Sequence, residues 1–250
     1  MKPLIAAIAI VLSTAPMGAL AQTPPPLMEP LRIKHQEMPL YPQELIPLRV
    51  REGSARVAYS VDATGKVDDC LAVAYTRPEF ARATETALRL WTFEPARLRG
   101  IPVASTAEIS VRYEVQGIIV VEQHISSQMD ERLTSLEVLP PTYRAHELRE
   151  LDRIPTPIVA TPPAYPISLM KQGHVGDVTI HFYIDESGAV RMPTADSSED
   201  PELVPLAISA ISQWKFEPPK CKGVPVLVRA DQVFRFRKSN GPASAPAGGP

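Results

Sequence analysis

A chain of 250 residues with 44% hydrophobic residues is long enough for two small domains, each with its own buried core. Twenty-six basic residues against 28 acidic ones leave a net charge of −2, which removes the electrostatic case for a nucleic-acid partner. Two cysteines are too few for a disulfide scaffold or a cysteine-built zinc site.

The N-terminus reads as an export signal over residues 1–21. Met1-Lys2 gives a positive start, residues 4–12 (LIAAIAIVL) are apolar without a break, and Pro16 and Gly18 interrupt the next stretch. Ala19-Leu20-Ala21 then fits the small-residue cleavage pattern, and cutting after Ala21 is expected. The apolar run would make a helix of roughly 14 Å, about half the ~30 Å of a bilayer core. An uncleaved anchor is the alternative. Export places the mature chain in the periplasm, where disulfides are permitted, so a bridge between Cys70 and Cys221 is open.

Residues 22–37 form a proline-rich lead with no period. After it the chain repeats itself: residues 53–113 lie on 176–236 with a constant offset of 123 and no gap. Asp62, Gly65 and Val67 fall on Asp185, Gly188 and Val190, and the run Trp91 to Pro95 falls on Trp214 to Pro218. In the first copy Ala55, Val57, Tyr59 and Val61 alternate with polar or small residues, the period of a strand with one buried face. Asp62 to Gly65 has turn chemistry, and residues 67–75 can return as a second strand. Pro78-Glu79 opens a helix that carries Phe80, Ala83, Ala87, Leu88 and Trp91 at helical spacing. Pro95 ends this stretch, and residues 103–113 supply a last strand.

Between the copies, residues 117–160 are a connector, with a strand expected at 118–121 and a helix near 144–153. The second copy repeats the order. Val178, Ile180, Phe182 and Ile184 alternate, Pro193 weakens the second strand, and a helix from Pro201-Glu202 runs to Trp214. Residues 224–236 close the unit, and 239–250 (SNGPASAPAGGP) have the composition of a disordered tail. The expected fold class is α+β: two tandem modules, 38–116 and 161–238, each a small antiparallel sheet with a helix packed on one face.

Catalytic motifs are missing: no G-x-S-x-G, no phosphate-binding loop, no H-E-x-x-H. The five histidines are scattered, and neither a metal site nor a cofactor is expected. Asp62 and Asp185 sit where a turn uses an aspartate, and the Trp and Phe of each W-x-F belong to a core. Arg89, Arg97 and Arg99, with Lys215, Lys220 and Lys222, make a modest basic strip, a solvated face or a contact for an anionic polymer such as peptidoglycan.

Tyr41-Pro42 and Tyr165-Pro166, the alternating strand ending in Asp and Gly, the W-x-F-E-P run, and Gly100/Pro102/Val103 with Gly223/Pro225/Val226 recur together in both copies. This set resembles the C-terminal domain of the TonB family. The resemblance implies a binding protein, not an enzyme, that receives an extended segment (the TonB box) of an outer-membrane, TonB-dependent receptor beside the final strand of its sheet. It also implies a contribution from the Q-P-x-Y-P segment, although this chain has no glutamine there in either copy. The implied partner-binding residues are Pro163, Tyr165 and Pro166, with Arg229, Asp231, Val233 and Arg235 on the side of the last strand that faces away from the core. Two other readings stay open: a membrane-anchored energy transducer, and a structural envelope module that binds no peptide.

Overall fold

The computed structural model describes residues 28–115, 120–124, 141–195 and 199–237. The expected signal segment, the tail at 239–250, and Ile118 and Ile119 of the expected connector strand lie outside the described residues. Each repeat copy builds a sheet with one helix on one face, the α+β arrangement of two tandem modules.

The lead is less formless than its composition suggests. Strand β1 (Arg32–His35) pairs antiparallel with the W-x-F run, setting Ile33 opposite Phe93. A single 3-10 turn, Gln43–Leu45, follows Tyr41-Pro42. Then come β2 (Glu52–Val61), β3 (Val67–Tyr75), helix α1 (Pro78–Leu88), β4 (Thr92–Glu94, the partner of β1) and β5 (Ser105–Glu114). The alternation in β2 does what its period requires. Ala55, Val57, Tyr59 and Val61 are buried against Phe80, Ala81 and Leu88 of α1 and against Ile109, Val111 and Tyr113 of β5. Pro78 takes the first helical position, where its missing N–H costs nothing.

The connector holds strands instead of the expected helix near 144–153. Strand β6 (Val120–His124) runs antiparallel along β5. Residues Tyr143–Arg144 (β7) add to the far edge of the first sheet beside β3. His146–Glu147 (β8) then join the second sheet, and the one-turn 3-10 helix Leu148–Glu150 ends the stretch. The helical reading fails because two sheet edges compete for this backbone. Ala145 N–H donates to Val73 O at 2.7 Å, and His146 N–H donates to Leu227 O at 2.8 Å. Glu150 secures the corner by bonding Arg144 and the Glu147 N–H, which draws its carboxyl down to about 2.

The second module follows with β9 (Pro157–Val159), α2 (Ile167–Gln172), β10 (Gly176–Ile184), β11 (Val190–Ala195), α3 (Val204–Ile211), β12 (Lys215–Phe216) and β13 (Val228–Phe236). Strand β9 pairs with β12 as β1 does with β4. The duplication therefore reaches upstream of Tyr-Pro in both copies. Helix α3 begins at Val204, not at the Pro201-Glu202 pair. Asp200 holds the earlier residues in a turn, its side chain accepting from Glu202 N–H and its carbonyl from Leu203 N–H. Strand β11 is short and carries a register shift against β10, as Pro193 suggests.

From edge to edge the first sheet reads β7-β3-β2-β5-β6 and the second β8-β13-β10-β11. The two sheets meet through the faces their helices leave uncovered. Ala58 and Val73 of the first module form a small third core with Tyr183, Met192 and Leu227 of the second. Polar contacts ring it: Tyr183 Oη donates to Glu108 at 2.8 Å, Arg191 Nε to Asp69 at 3.1 Å, and Tyr143 Oη to Glu186 at 3.2 Å.

Candidate functional site

A strand edge can bind a peptide only where no other strand already pairs with its outward N–H and C=O groups. The last strand of each module is such an edge by position, and the two differ in what covers them. Along β5, Glu108 to Arg112 are paired with His124 to Val120 of β6. The repeat carries 108–112 onto 231–235 of β13. There, among the described residues, the outer edge is paired at its start, where β8 runs parallel with His146 at Val228 and Glu147 at Arg229. Among the described residues no strand lies beside β13 on that side from Ala230 to Phe236.

The direction of each backbone group on that edge follows from one hydrogen bond. Leu227 O accepts from His146, so it points outward. Successive residues of a strand alternate. The N–H and C=O of Arg229, Asp231, Val233 and Arg235 therefore face the edge, while those of Val228, Ala230, Gln232, Phe234 and Phe236 face β10.

Side chains divide in the same way. Val228, Ala230, Phe234 and Phe236 are buried in the core of the second module. Arg229 is half-buried, and Asp231, Val233 and Arg235 are exposed. Asp231 Oδ1 lies 2.7 Å from His181 Nδ1 on β10, and this bond holds its carboxyl below the usual carboxylate range. Arg235 is 4.0 Å from Asp177, which bonds the neighbouring Arg237.

Of the Tyr-Pro residues, Pro166 is exposed, and Pro163 and Tyr165 are half-buried. The Tyr165 ring stands edge-on to Phe236 at 5.2 Å, which brings this segment to the C-terminal end of β13, far along the strand from Arg229. Its hydroxyl donates to His174 O, as Tyr41 Oη donates to Val50 O at 2.7 Å. Both tyrosines thus tie their own modules together.

The other candidates resolve into structural parts. Asp62 Oδ1 accepts from Thr64 and Lys66 N–H, and Asp185 Oδ1 from Ser187 and Ala189 N–H, the turn use expected of them. Trp91 and Trp214 are buried, and their indole N–H groups donate to Glu37 O and Thr161 O, just upstream of each Tyr-Pro. The basic strip is partly spent inside the chain. Arg99 pairs with Glu202 at 2.9 Å, and Arg97 donates to Gly100 O. Cys70 and Cys221 are free thiols. Cys70 lies in the first core, where burial pushes its thiol up to about 11, and Cys221 is half-buried in the Lys220–Cys221 hairpin of the second module. The two sulfurs are not bonded to each other in this structure, and the bridge that export would permit stays a proposal, checked by titrating thiols of the denatured, unreduced protein.

The model of the family described as "Gram-negative bacterial TonB protein C-terminal" matches this chain twice, at residues 37–115 and 161–237, together more than half its length. A curated relative, "Protein TonB" of Vibrio cholerae, is 36% identical over 76 residues, which cover 30% of this chain and 31% of the relative. The chain thus spans about a third of that relative's length. A solution NMR structure of the Pseudomonas aeruginosa TonB C-terminal domain is 23% identical, with a TM-score of 0.31, over 42% of this chain and 99% of that one.

Proposed function

The chain belongs to the TonB C-terminal family through both of its modules, and from that premise we propose that it is a periplasmic binding protein whose second module takes an extended peptide from an envelope partner, by strand addition along β13. The family's proteins serve outer-membrane transport rather than catalyse a reaction, and their partners are TonB-dependent receptors. A receptor segment is the partner proposed for this chain; a peptidoglycan contact would have to use what remains of the basic strip.

One observation carries the reading. On β5 the chain adds its own strand at 108–112, and at the equivalent positions 231–235 no strand lies beside β13 among the described residues. A peptide on β13 would meet the outward groups of Asp231, Val233 and Arg235, sharing or displacing the bond that the Gln232 side-chain amide donates to Val233 O at 2.9 Å. Pro163, Tyr165 and Pro166 would meet it at the Phe236 end, and Arg229 beside β8 would bound it at the other.

Proline at Val233 tests this directly, since it removes an outward donor without touching the ladder to β10. Val233→Pro is expected to weaken binding of receptor N-terminal peptides about tenfold, with a nearly unchanged melting temperature. Calorimetric titration of parent and variant measures it. Equal affinities, or peptide-induced amide protection along 108–112 instead of 231–235, would overturn the assignment.

The membrane-anchored transducer rests on the curated relative's likeness and needs the leader to be kept. Among the described residues no helix is long and apolar enough to cross a membrane. The cleaved form predicts a mature N-terminus at Gln22. Intact-mass measurement of protein from the periplasmic fraction should find it, and Met1 retained in the membrane fraction would favour the anchor.

A further inference from the structure

An apolar strand ordinarily buries one of its faces, and β9 buries neither. Pro157, Ile158 and Val159 are all exposed. The segment is nevertheless fixed along its length. Asp152 N–H donates to Lys220 O and Glu217 N–H to Thr156 O, each at 2.9 Å, and Val159 stands opposite Lys215 in the pairing with β12. Past Cys221 the chain turns back and sets Val224 beside it. Residues 152–159 and 215–225 thus make one ribbon on the surface of the second module. Its aliphatic residues Ile154, Ile158, Val159 and Val224 are each between 47% and 68% exposed, an apolar patch with nothing over it among the described residues.

Cations are interleaved with these side chains. Lys215, Lys220 and Lys222 are exposed, and among the described residues no carboxylate forms an ion pair with any of them. The two acids of the ribbon are engaged elsewhere. Glu217 pairs with Arg153 at 2.7 Å. Asp152 accepts from the N–H groups of Gly223 and Lys222 at 2.7 Å each, and these bonds, with Lys220 nearby, hold its carboxyl below the usual range. The first copy is different. The repeat carries the three lysines onto Thr92, Arg97 and Arg99, of which the first is neutral, the second donates to Gly100 O and the third pairs with Glu202.

The chemistry of the ribbon selects what can cover it. A protein strand would need backbone donors along β9, and Pro155, Pro157, Pro162 and Pro163 leave few. A glycan has little apolar surface to set against four aliphatic side chains. An anionic bilayer surface meets both needs, because branched side chains can enter the headgroup boundary while lysine stems carry their ammonium groups to the phosphates. We propose that this ribbon docks the second module on an anionic phospholipid surface. Ile154, Ile158, Val159 and Val224 enter the headgroup boundary, and Lys215, Lys220 and Lys222 meet the lipid phosphates. The ribbon shares no residue with β13, so a membrane and a peptide can be held together.

The test sediments the chain beginning at Gln22, so that residues 1–21 contribute nothing, with two kinds of vesicle. Vesicles of phosphatidylethanolamine and phosphatidylglycerol should carry the protein down, those of phosphatidylcholine alone should not, and binding should fall as salt rises. Lys215→Glu/Lys220→Glu/Lys222→Glu should weaken binding about a hundredfold, roughly fivefold for each lysine. Ile158→Ser/Val159→Ser should remove the binding that persists in high salt. Both variants should melt with the parent, because the altered side chains are exposed. Lys34→Glu/Lys66→Glu/Lys171→Glu makes the same change of net charge on exposed lysines elsewhere and should bind within about threefold of the parent. Equal losses in the two triple variants would overturn the ribbon as the site. Failure to bind the phosphatidylglycerol vesicles, or sedimentation with purified peptidoglycan in their place, would overturn the lipid reading.

Discussion

Alanine in place of Trp91 or Trp214 should destabilise its module by about 3–5 kcal/mol, a large share of the roughly 5–15 kcal/mol that holds a typical domain folded. Trp91 is 2% exposed and Trp214 7%, and each ring packs on the phenylalanine two residues later. Trp214 also stands edge-on to Phe234 of β13 at 5.7 Å, so it supports the strand proposed to take the peptide. The loss exceeds packing alone. Each indole N–H anchors a carbonyl more than fifty residues upstream, Glu37 at 2.7 Å and Thr161 at 2.8 Å, and truncation frees the segment leading into Tyr-Pro. Urea unfolding followed by circular dichroism is the measurement. Trp91→Phe should recover part of the loss by refilling the cavity but not the N–H bond. An unchanged unfolding midpoint for Trp214→Ala would remove its core role and make it a ligand-binding aromatic instead.

Gly188→Ala is the second large effect expected. Gly188 has φ +85°, a conformation that costs an L side chain on the order of 1–3 kcal/mol. A Cβ there would also stand 2.0 Å from Phe216 O, which cannot move aside as a flexible side chain could. Strand β12 would have to shift, and with it the bond from Phe216 N–H to Gly188 O at 2.8 Å. Gly65 is built alike in the first module, with Phe93 O at 2.0 Å. Gly223 is the control: its φ is +78°, yet nothing lies within 4 Å of a Cβ built there. Gly223→Ala should therefore cost only the backbone strain, and Gly188→Ala several times more, read as the difference between their thermal midpoints. Equal shifts would show that the left-handed conformation alone, not the closeness of β12, makes the glycine necessary.

Legibility in this sequence followed the range of the forces involved. The duplication, the alternation of β2 and β10, the Asp–Gly turns and the tryptophan-ended helices are all local. A period of two or of 3.6 residues records which side chains a core will take, and the turn aspartates bond their own backbone within four residues. The split of β13 into a buried set and the exposed Asp231, Val233 and Arg235 was readable for the same reason. Tertiary structure decided the fate of the edges. Backbone N–H and C=O groups are the same in nearly every residue, so no side-chain pattern marks which segment will satisfy them. Residues 144–153 carry helix-compatible side chains and yet supply strands to both sheets, because Val73 and Leu227 present carbonyls that need donors. The lead pairs with the W-x-F run for a similar reason. The contact between the modules was equally hidden, since Ala58 and Tyr183 sit on faces that alternation assigns to solvent, and only a second sheet brought against them makes them core. Whether an edge is open or filled, as β13 and β5 differ, depends on where a distant or tethered strand comes to lie, and that is settled by chain closure in three dimensions rather than by the residues of the edge itself.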